Sequence, residues 1–565
     1  MRSSGFFLRI ALALLLLLSV GGAMAQEHEE VKWEPWGPRV DEIFMPIKTN
    51  YSALISEFER GEIDIVPGLS ASQWIDQLKA NPNADVVTNY GHHVYYLCFN
   101  MRREPLDADV VRQAMAHLVD RDRIITELLQ SSVLPLASFL PPSSSFYKDD
   151  VPARSCDPAR AAEILDQAGY KMDIATKIRR DPATRKPMRE MSILAPSGSV
   201  GPSIAKLIAN ECRAIGLPVN ALSLNGNDMF SKVDKHEFDM YVAAYSVSRF
   251  PTSLTSFFHS SQRATGGYNK SGIKDPQLDK ALDEISYALD LQTAKEAADK
   301  AQVILAERQP WITIYSRPYI DAFRKDKFTG YVPMHGEGAA RNHWTLLGIR
   351  PTSGTAGVLR WPLTGEPATL NPCTYTLSYE AEVLSKITDS LMAVDPITLE
   401  DIPWMAREWE ISTWEPSKGK HGTVITWHLN DGILWQDGEP FTSGDIKFTI
   451  EYLKKYKVPR YAGSVEDIVK VETPDRLTAK VYFSTESYWH LYNADLCFLP
   501  EHIWKSVWNY KTFSPWRDRH PKVKDLTKLI GTGPFILKEF APGKYVRLVK
   551  NPLYWRINPP DGAEN

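Results

Sequence analysis

The signatures of chemistry are scarce in this chain. Five cysteines occur in 565 residues and none belongs to a C-x-x-C pair, so a zinc ribbon or a thioredoxin-like redox site has no support. There is no G-x-S-x-G nucleophile elbow, no G-x-x-x-x-G-K-[ST] phosphate loop and no H-E-x-x-H zinc helix. Gly531-Thr532-Gly533 lacks a third glycine and reads as a tight turn. His92-His93 is the only adjacent histidine pair, and in a strand the two side chains point to opposite faces, which disfavours one shared ion. No catalytic residue, metal or cofactor is expected. An excess of one charge is missing too: Lys+Arg total 65 and Asp+Glu 69, a net charge of −4, with no long block of one sign. A nucleic-acid binder would need a basic face, so that class is set aside. Beyond the first 25 residues no stretch is apolar for long enough to span a membrane.

What is present is core-forming material. Hydrophobic residues make up 43% and charged residues 24%, with 16 Trp, which excludes a disordered, collagen-like or coiled-coil chain. The length accommodates about four units at roughly 150 residues each. At the start, Arg2 and Arg9 precede or flank an apolar run from Ile10 to Val20, followed by Ala23-Met24-Ala25 and polar residues. This reads as a cleaved secretory signal over residues 1–25, placing the mature protein across the cytoplasmic membrane, in the periplasm or at the cell surface. The competing reading, an uncleaved anchor, suits the short run less well, and no cysteine marks a lipoprotein site. Cys98, Cys156, Cys212, Cys373 and Cys497 are odd in number, so at least one thiol stays unpaired within the chain. Cys98, inside the strand-like run 94–99, reads as core filler.

Punctuation along the chain predicts several elements. Asp157-Pro158 before an apolar face and Gly169 is a capped helix, and 109–129 and 203–215 are further helices. Residues 278–308 read as one or two more helices. Strands are expected at 191–194, 238–245 and 311–315, so residues 100–320 alternate as an α/β lobe. Residues 350–357, rich in small turn formers, read as a linker. Beyond it strands are expected at 358–361, 424–429 and 479–483, with a helix at 443–455.

Gly61-Glu62-Ile63-Asp64-Ile65, Phe99-Asn100, Asp109 to Ala114 with Asp120-Arg121, Ala161 to Tyr170, Phe238-Asp239-Met240 and Asp275-Pro276 resemble the extracytoplasmic solute-binding proteins of family 5, the oligopeptide- and dipeptide-binding components of ABC importers. So do Trp427-His428-Leu429, Trp435 to Thr442, Gly531 to Phe535 and Asn551-Pro552-Leu553-Tyr554-Trp555. The order is displaced, because the family's mid-chain NPxYW segment stands here at the C-terminus and its GEIDI segment near the N-terminus. A circular permutation, or a fragment of a tandem array, accounts for that. The resemblance implies a two-lobed α/β periplasmic-binding-protein fold, class II-like, with an extra small domain. Residues 26–100, 316–380 (with the permutation linker near 350–357) and 526–565 would form the first lobe, 101–315 the second and 381–525 the extra domain. It implies capture of a small solute, an oligopeptide or alternatively an oligosaccharide, and delivery to membrane permease subunits, by a protein expected to be a monomer. The readings of a different class are a permease-free sensory or chaperone-like binder and an exported hydrolase on a similar scaffold. Candidate binding residues are Tyr245, Ser246, Ser248 and Arg249, after the F-D-M strand, and Tyr375 and Tyr379 near a first-lobe strand end. Ser248 stands where peptide-binding relatives carry the Asp that holds the peptide's amino terminus, and a hydroxyl supplies no charge for a buried ammonium. Arg249 is a candidate anion partner, and the tyrosines are candidate pocket walls.

Overall fold

The computed structural model describes residues 33–559 apart from 70–71, 130–132, 153, 198 and 355–356. The signal read in 1–25 lies outside the described residues. The chain folds as two α/β lobes and a smaller, mainly antiparallel unit.

The larger lobe is built on a six-stranded sheet in the order Leu134–Pro135, Trp311–Ser316, His93–Phe99, Met240–Ser246, Met191–Pro196, Val219–Leu224. Met191–Pro196 runs parallel to both its neighbours and the other pairings are antiparallel. Its central strands are apolar on both sides because both faces are covered. Val94, Tyr96 and Cys98 enter one core, and Leu97 and Phe99 enter the opposite one, the two-residue period of a strand. The capping signals act as read: Asp157 accepts from the Arg160 amide at 2.9 Å to start Pro158–Gln167, and Asp275 starts Pro276–Ser286. One expected helix is broken. Residues 109–129 form Asp109–Ala116, a turn, and then Arg121–Arg123 running into a π-helical turn, Ile124–Leu128. The chain leaves the helix because the His117 carbonyl accepts the Asp157 amide (2.9 Å) and Asp120 caps the restart by accepting from Arg123 N (2.9 Å).

The other lobe contains a four-stranded sheet in the order Val358–Arg360, Glu42–Pro46, Tyr545–Lys550, Phe535–Ala541, and a three-stranded sheet, Ile65–Val66, Tyr319–Arg324, Ala84–Asn89. The N-terminal strand lies inside the four-stranded sheet, parallel to Val358–Arg360 and antiparallel to the C-terminal strand. The two ends of the described chain therefore meet. The Lys550 amide donates to Asp41 O (2.8 Å) and the Gly37 amide to Arg556 O (3.0 Å). Asp389 fastens the same corner, accepting from Trp404 Nε1 (2.6 Å), Tyr554 Oη (3.0 Å) and Trp555 Nε1 (3.4 Å). The Arg556 guanidinium lies 4.0 Å from the Trp404 ring centroid and 4.9 Å from that of Trp36.

The smaller unit is a four-stranded antiparallel sheet, Ala406–Ser417, Lys420–Leu429, Thr478–Phe483, Ile468–Asp475, with the helix Ser443–Lys455 packed on it. Trp427, Trp435 and Trp504 fill its core, so much of the tryptophan content is scaffold. Gly531 and Gly533 lie flat on the end of the helix Ser378–Ile387, where a Cβ on Gly531 would sit 2.1 Å from Ile387 O. Close approach is thus what this G-x-G supplies. The five cysteines are free, Cys98 buried as expected. No helix among the described residues is long and apolar enough to cross a membrane.

Candidate functional site

The chain passes between the two lobe sheets twice, at residues 90–92 and 317–318. Tyr95 and Tyr315 stack at 4.2 Å next to them, with the Arg317 guanidinium 5.6 Å from the Tyr95 ring centroid. His93 meets Tyr319 edge-on at 5.4 Å. His92 gives Nδ1 to Ser143 Oγ (2.7 Å) and packs its ring on Gly336, and burial pulls its pKa down to about 4, so it is neutral at physiological pH. The two rings thus have different neighbours, Ser143 for His92 and Tyr319 for His93.

The residues from 334 to 338 form a tight loop closed by paired backbone bonds between Met334 and Gly338, both 3.0 Å, and tied to the first crossing by the Gly336 amide donating to Tyr90 O (2.8 Å). Gly336 (φ 85) and Gly338 (φ 71) both sit in the left-handed region. Glu337 lies between them, reached by solvent although protein surrounds it on most sides. Desolvation pushes its carboxyl up to about 7 against the lowering influence of Arg249 and Arg341. Arg341 lies 3.6 Å from Glu382, which also accepts from Trp361 Nε1 (2.9 Å). Lys386 is buried over the Trp361 ring, 4.0 Å from its centroid, donates to Glu382 O (3.1 Å) and is lowered to about 8 by burial. Glu337, Arg341 and Lys386 line one cavity of about 300 Å³ together with Asp389, Trp344 and Trp404.

The residues singled out from sequence fall in three places. Tyr245 ends its strand half-buried, parallel to Tyr96 (6.0 Å) and tilted on Phe257 (4.7 Å), and burial raises its hydroxyl to about 12, so it stays neutral. Ser246 is exposed and pairs through its backbone with His93. Ser248 is exposed and occupied by its own turn, its Oγ accepting from the Phe250 amide (3.2 Å). Arg249 finds its anion inside the chain: it donates to Leu399 O (2.7 Å) and to the Asp401 carboxylate, which also accepts from Tyr492 Oη. It therefore joins the larger lobe to the smaller unit. Tyr375 is covered by Arg460, whose guanidinium is 3.4 Å from the ring centroid, and Tyr379 lies against Gly365. Among the described residues no ring contact joins Tyr245 to Tyr375 or Tyr379. Glu337, Arg341 and Lys386 escaped the sequence reading, although Gly336-Glu337-Gly338 is a visible signal for a carboxylate held at a loop tip.

The strut from Arg249 is testable on its own. Both side chains are mostly buried, 18% and 10% exposed, so a double-mutant cycle with Arg249→Met and Asp401→Asn in urea unfolding should return a coupling of about 1–3 kcal/mol. A coupling indistinguishable from zero removes the strut.

A second cluster, Asp437, His502 and His520, brings three potential ligand atoms within 4.8 Å of one another. Its hydrogen bonds argue against a metal. His520 Nδ1 accepts from the Lys522 (3.2 Å) and Val523 (2.9 Å) amides, so its proton is on Nε2, which donates to Asp437 Oδ2 at 2.9 Å. A histidine ligating through Nε2 needs the opposite tautomer. The cluster is a buried staple.

Comparison with known proteins supplies a family. A sequence model described as "Bacterial extracellular solute-binding proteins, family 5 Middle" matches residues 32–266 and 401–564. The di/tripeptide-binding protein 1 of Pseudomonas aeruginosa is 23% identical over 294 residues, covering 52% of each chain. The heme-binding protein A of Haemophilus influenzae is 24% identical over 291 residues, covering 51% of this chain and 50% of its own. The chain thus spans about half the length of the curated relatives it matches. Among solved structures, the oligopeptide-binding protein AppA of Bacillus subtilis, in complex with a nonapeptide, matches with a TM-score of 0.46 and 22% identity over 54% of this chain and 59% of that one.

Proposed function

From the premise that the chain belongs to family 5 of the bacterial extracellular solute-binding proteins, and is therefore a binding protein and not an enzyme, we propose that it captures a peptide-like solute in the cleft between its lobes and hands it to the permease of an ABC importer. The observation that carries this reading is the double crossing between the two lobe sheets, with Tyr95 under the Arg317 guanidinium beside it and Glu337 within electrostatic reach of Arg249 from the other lobe and of Arg341. Such a mixture of aromatic and charged groups suits a solute that is part apolar and part zwitterionic. Two crossings between lobes form a hinge, and ligand contacts made in the closed state favour that state. The names of relatives, among them a di/tripeptide-binding protein, support the solute class.

The domain division, the exported location and the monomeric state belong to the same proposal, as does the permuted order. The juxtaposed ends support the permutation, as does a family match on both sides of residues 267–400. Opening a surface connection leaves buried backbone pairing intact, which is where permutation succeeds. A chain reordered as 358–559 followed by 33–352 is accordingly expected to fold, with an unfolding midpoint close to that of the natural order and the same ligand. An insoluble or molten product would end the permutation reading.

The functional reading is tested by native mass spectrometry of the mature chain, purified without refolding from a host secreting it in rich medium. The expected result is a monomer carrying one small adduct that fragments as peptide. A hexose-type fragment would replace the peptide reading by the oligosaccharide one, and a bare dimer would point to chains exchanging halves.

A further inference from the structure

One stretch of the chain reverses its overall charge. Residues 505–528 hold seven Lys and Arg against two Asp, in a protein whose net charge is −4. Of these cations, Lys522 lies 2.9 Å from Glu439 and Lys528 lies 3.9 Å from Asp518. Lys505, Lys511, Arg517, Arg519 and Lys524 are exposed and make no ion pair among the described residues. In the same stretch stands Trp508, 78% exposed, while every other tryptophan is buried or half-buried. An indole left in water forgoes the burial of about 150–250 Å² that an aromatic side chain can supply.

The fold imposes that exposure. Before Trp508, Val507 O accepts from Tyr452 Oη (2.8 Å); after it, Asn371 Nδ2 donates to Tyr510 O (2.8 Å) and Phe513 O (2.9 Å). Trp504 and Tyr510 are buried on either side, so the backbone is pinned and the one ring between them is turned outward. The ends of the stretch are drawn together by the Asp437 staple, since His502 and His520 hydrogen-bond the same carboxylate oxygen. Phe513 meets Trp504 edge-on at 5.0 Å and has Lys528 5.7 Å from its ring centroid, and the Lys528 amide donates to Asp518 O (2.8 Å). Cations from both ends of the stretch thus share one region of the surface with the exposed indole.

We propose that residues 505–528 form a membrane-docking surface, on which Trp508 enters the headgroup layer and Lys505, Lys511, Arg517, Arg519 and Lys524 rest against anionic lipids. An indole, apolar in body with one polar edge, is suited to that layer, and long cationic side chains reach the lipid phosphates around it. The composition argues against a protein partner. Interface cores are depleted in lysine and are built on a contiguous apolar patch, whereas Trp508 is the one strongly exposed large apolar side chain of this stretch. A single aromatic with a handful of unpaired cations gives reversible attachment, so the protein dwells at a membrane without being anchored in it. Docking of this kind requires neither solute nor cleft closure.

The test floats the mature chain with vesicles of phosphatidylcholine alone, or with one-third phosphatidylglycerol, at about 0.05 M and about 0.5 M salt. The expected result is flotation with the anionic vesicles at low salt only. Lys505→Gln, Lys511→Gln and Lys524→Gln combined should weaken it about a hundredfold, since each cation near such a surface contributes about fivefold. Trp508→Ser should weaken it about tenfold and abolish the quenching of tryptophan fluorescence by phosphatidylcholine brominated on its acyl chains. All four side chains are exposed, so both variants should melt with the wild type. Absence of flotation with the anionic vesicles, equal flotation with both compositions, or a lysine variant that floats as wild type overturns the assignment. So does quenching that survives Trp508→Ser. Binding to soluble polyglutamate without flotation gives the surface to an acidic polypeptide and overturns the membrane assignment too. Should either variant fold poorly, the wild type alone decides: flotation indifferent to salt or to phosphatidylglycerol rejects the proposal.

Discussion

Asp389→Ala should unfold at a midpoint equivalent to a loss of about 3–5 kcal/mol, the largest effect expected of a single polar substitution here. Its carboxylate accepts from Trp404, Tyr554 and Trp555, three donors from two distant stretches of chain, and the residue is only 8% exposed. Alanine leaves those donors without partners at about 1–3 kcal/mol each, partly recovered by relaxation. It also releases the C-terminal segment from the corner where the chain ends meet, so Trp fluorescence should change before the global transition. Asp389→Asn keeps an acceptor oxygen and removes a charge whose burial raises the carboxyl's pKa, so it should cost only about 1 kcal/mol. Urea titration of the three proteins checks the order. Equal midpoints for wild type and the alanine variant would mean that the carboxylate does not hold this corner.

Gly336→Ala should be nearly as damaging. A left-handed φ of 85 costs a non-glycine residue about 1–2 kcal/mol, and the new methyl would lie 2.0 Å from a histidine ring anchored to Ser143, adding about 1–3 kcal/mol of overpacking. The loop must shift, and Glu337 with it. Gly432→Ala is the matched control, because Gly432 has a similar φ of 82 but nothing within 4 Å of a Cβ. It should lose about 1 kcal/mol. Thermal melts of both variants separate backbone strain from steric displacement. A Gly336→Ala protein that melts with the Gly432→Ala one would show that the loop accommodates the methyl without cost.

Several parts of this protein were legible before folding was considered. The D-P pairs at 157–158 and 275–276 start helices because a carboxylate cap and a proline act within one turn. The run 94–99 forms a strand buried on both faces, because a continuous apolar stretch admits little else between turns. The helix expected over 109–129 breaks at 117–120 because a backbone bond from residue 157 claims the His117 carbonyl, and such a claim has no local signature. Arg249 shows the same divide at the site. Its position after a strand marked it as an anion partner, and its anion is Asp401, which lies 152 residues away.

Capping, strand alternation, the family-like motifs and their displaced order were thus set by the sequence alone, since each depends on neighbours a few residues apart or on the linear arrangement of segments. The pairing of the first strand with the last, the commitment of Arg249 to Asp401, and the meeting of Glu337, Arg341 and Lys386 on one cavity were decided only by tertiary structure. The reason is physical: whether a charge is free or satisfied depends on which groups the packed lobes bring within about 3–4 Å of it, and the group that satisfies Arg249 comes from a segment 152 residues away.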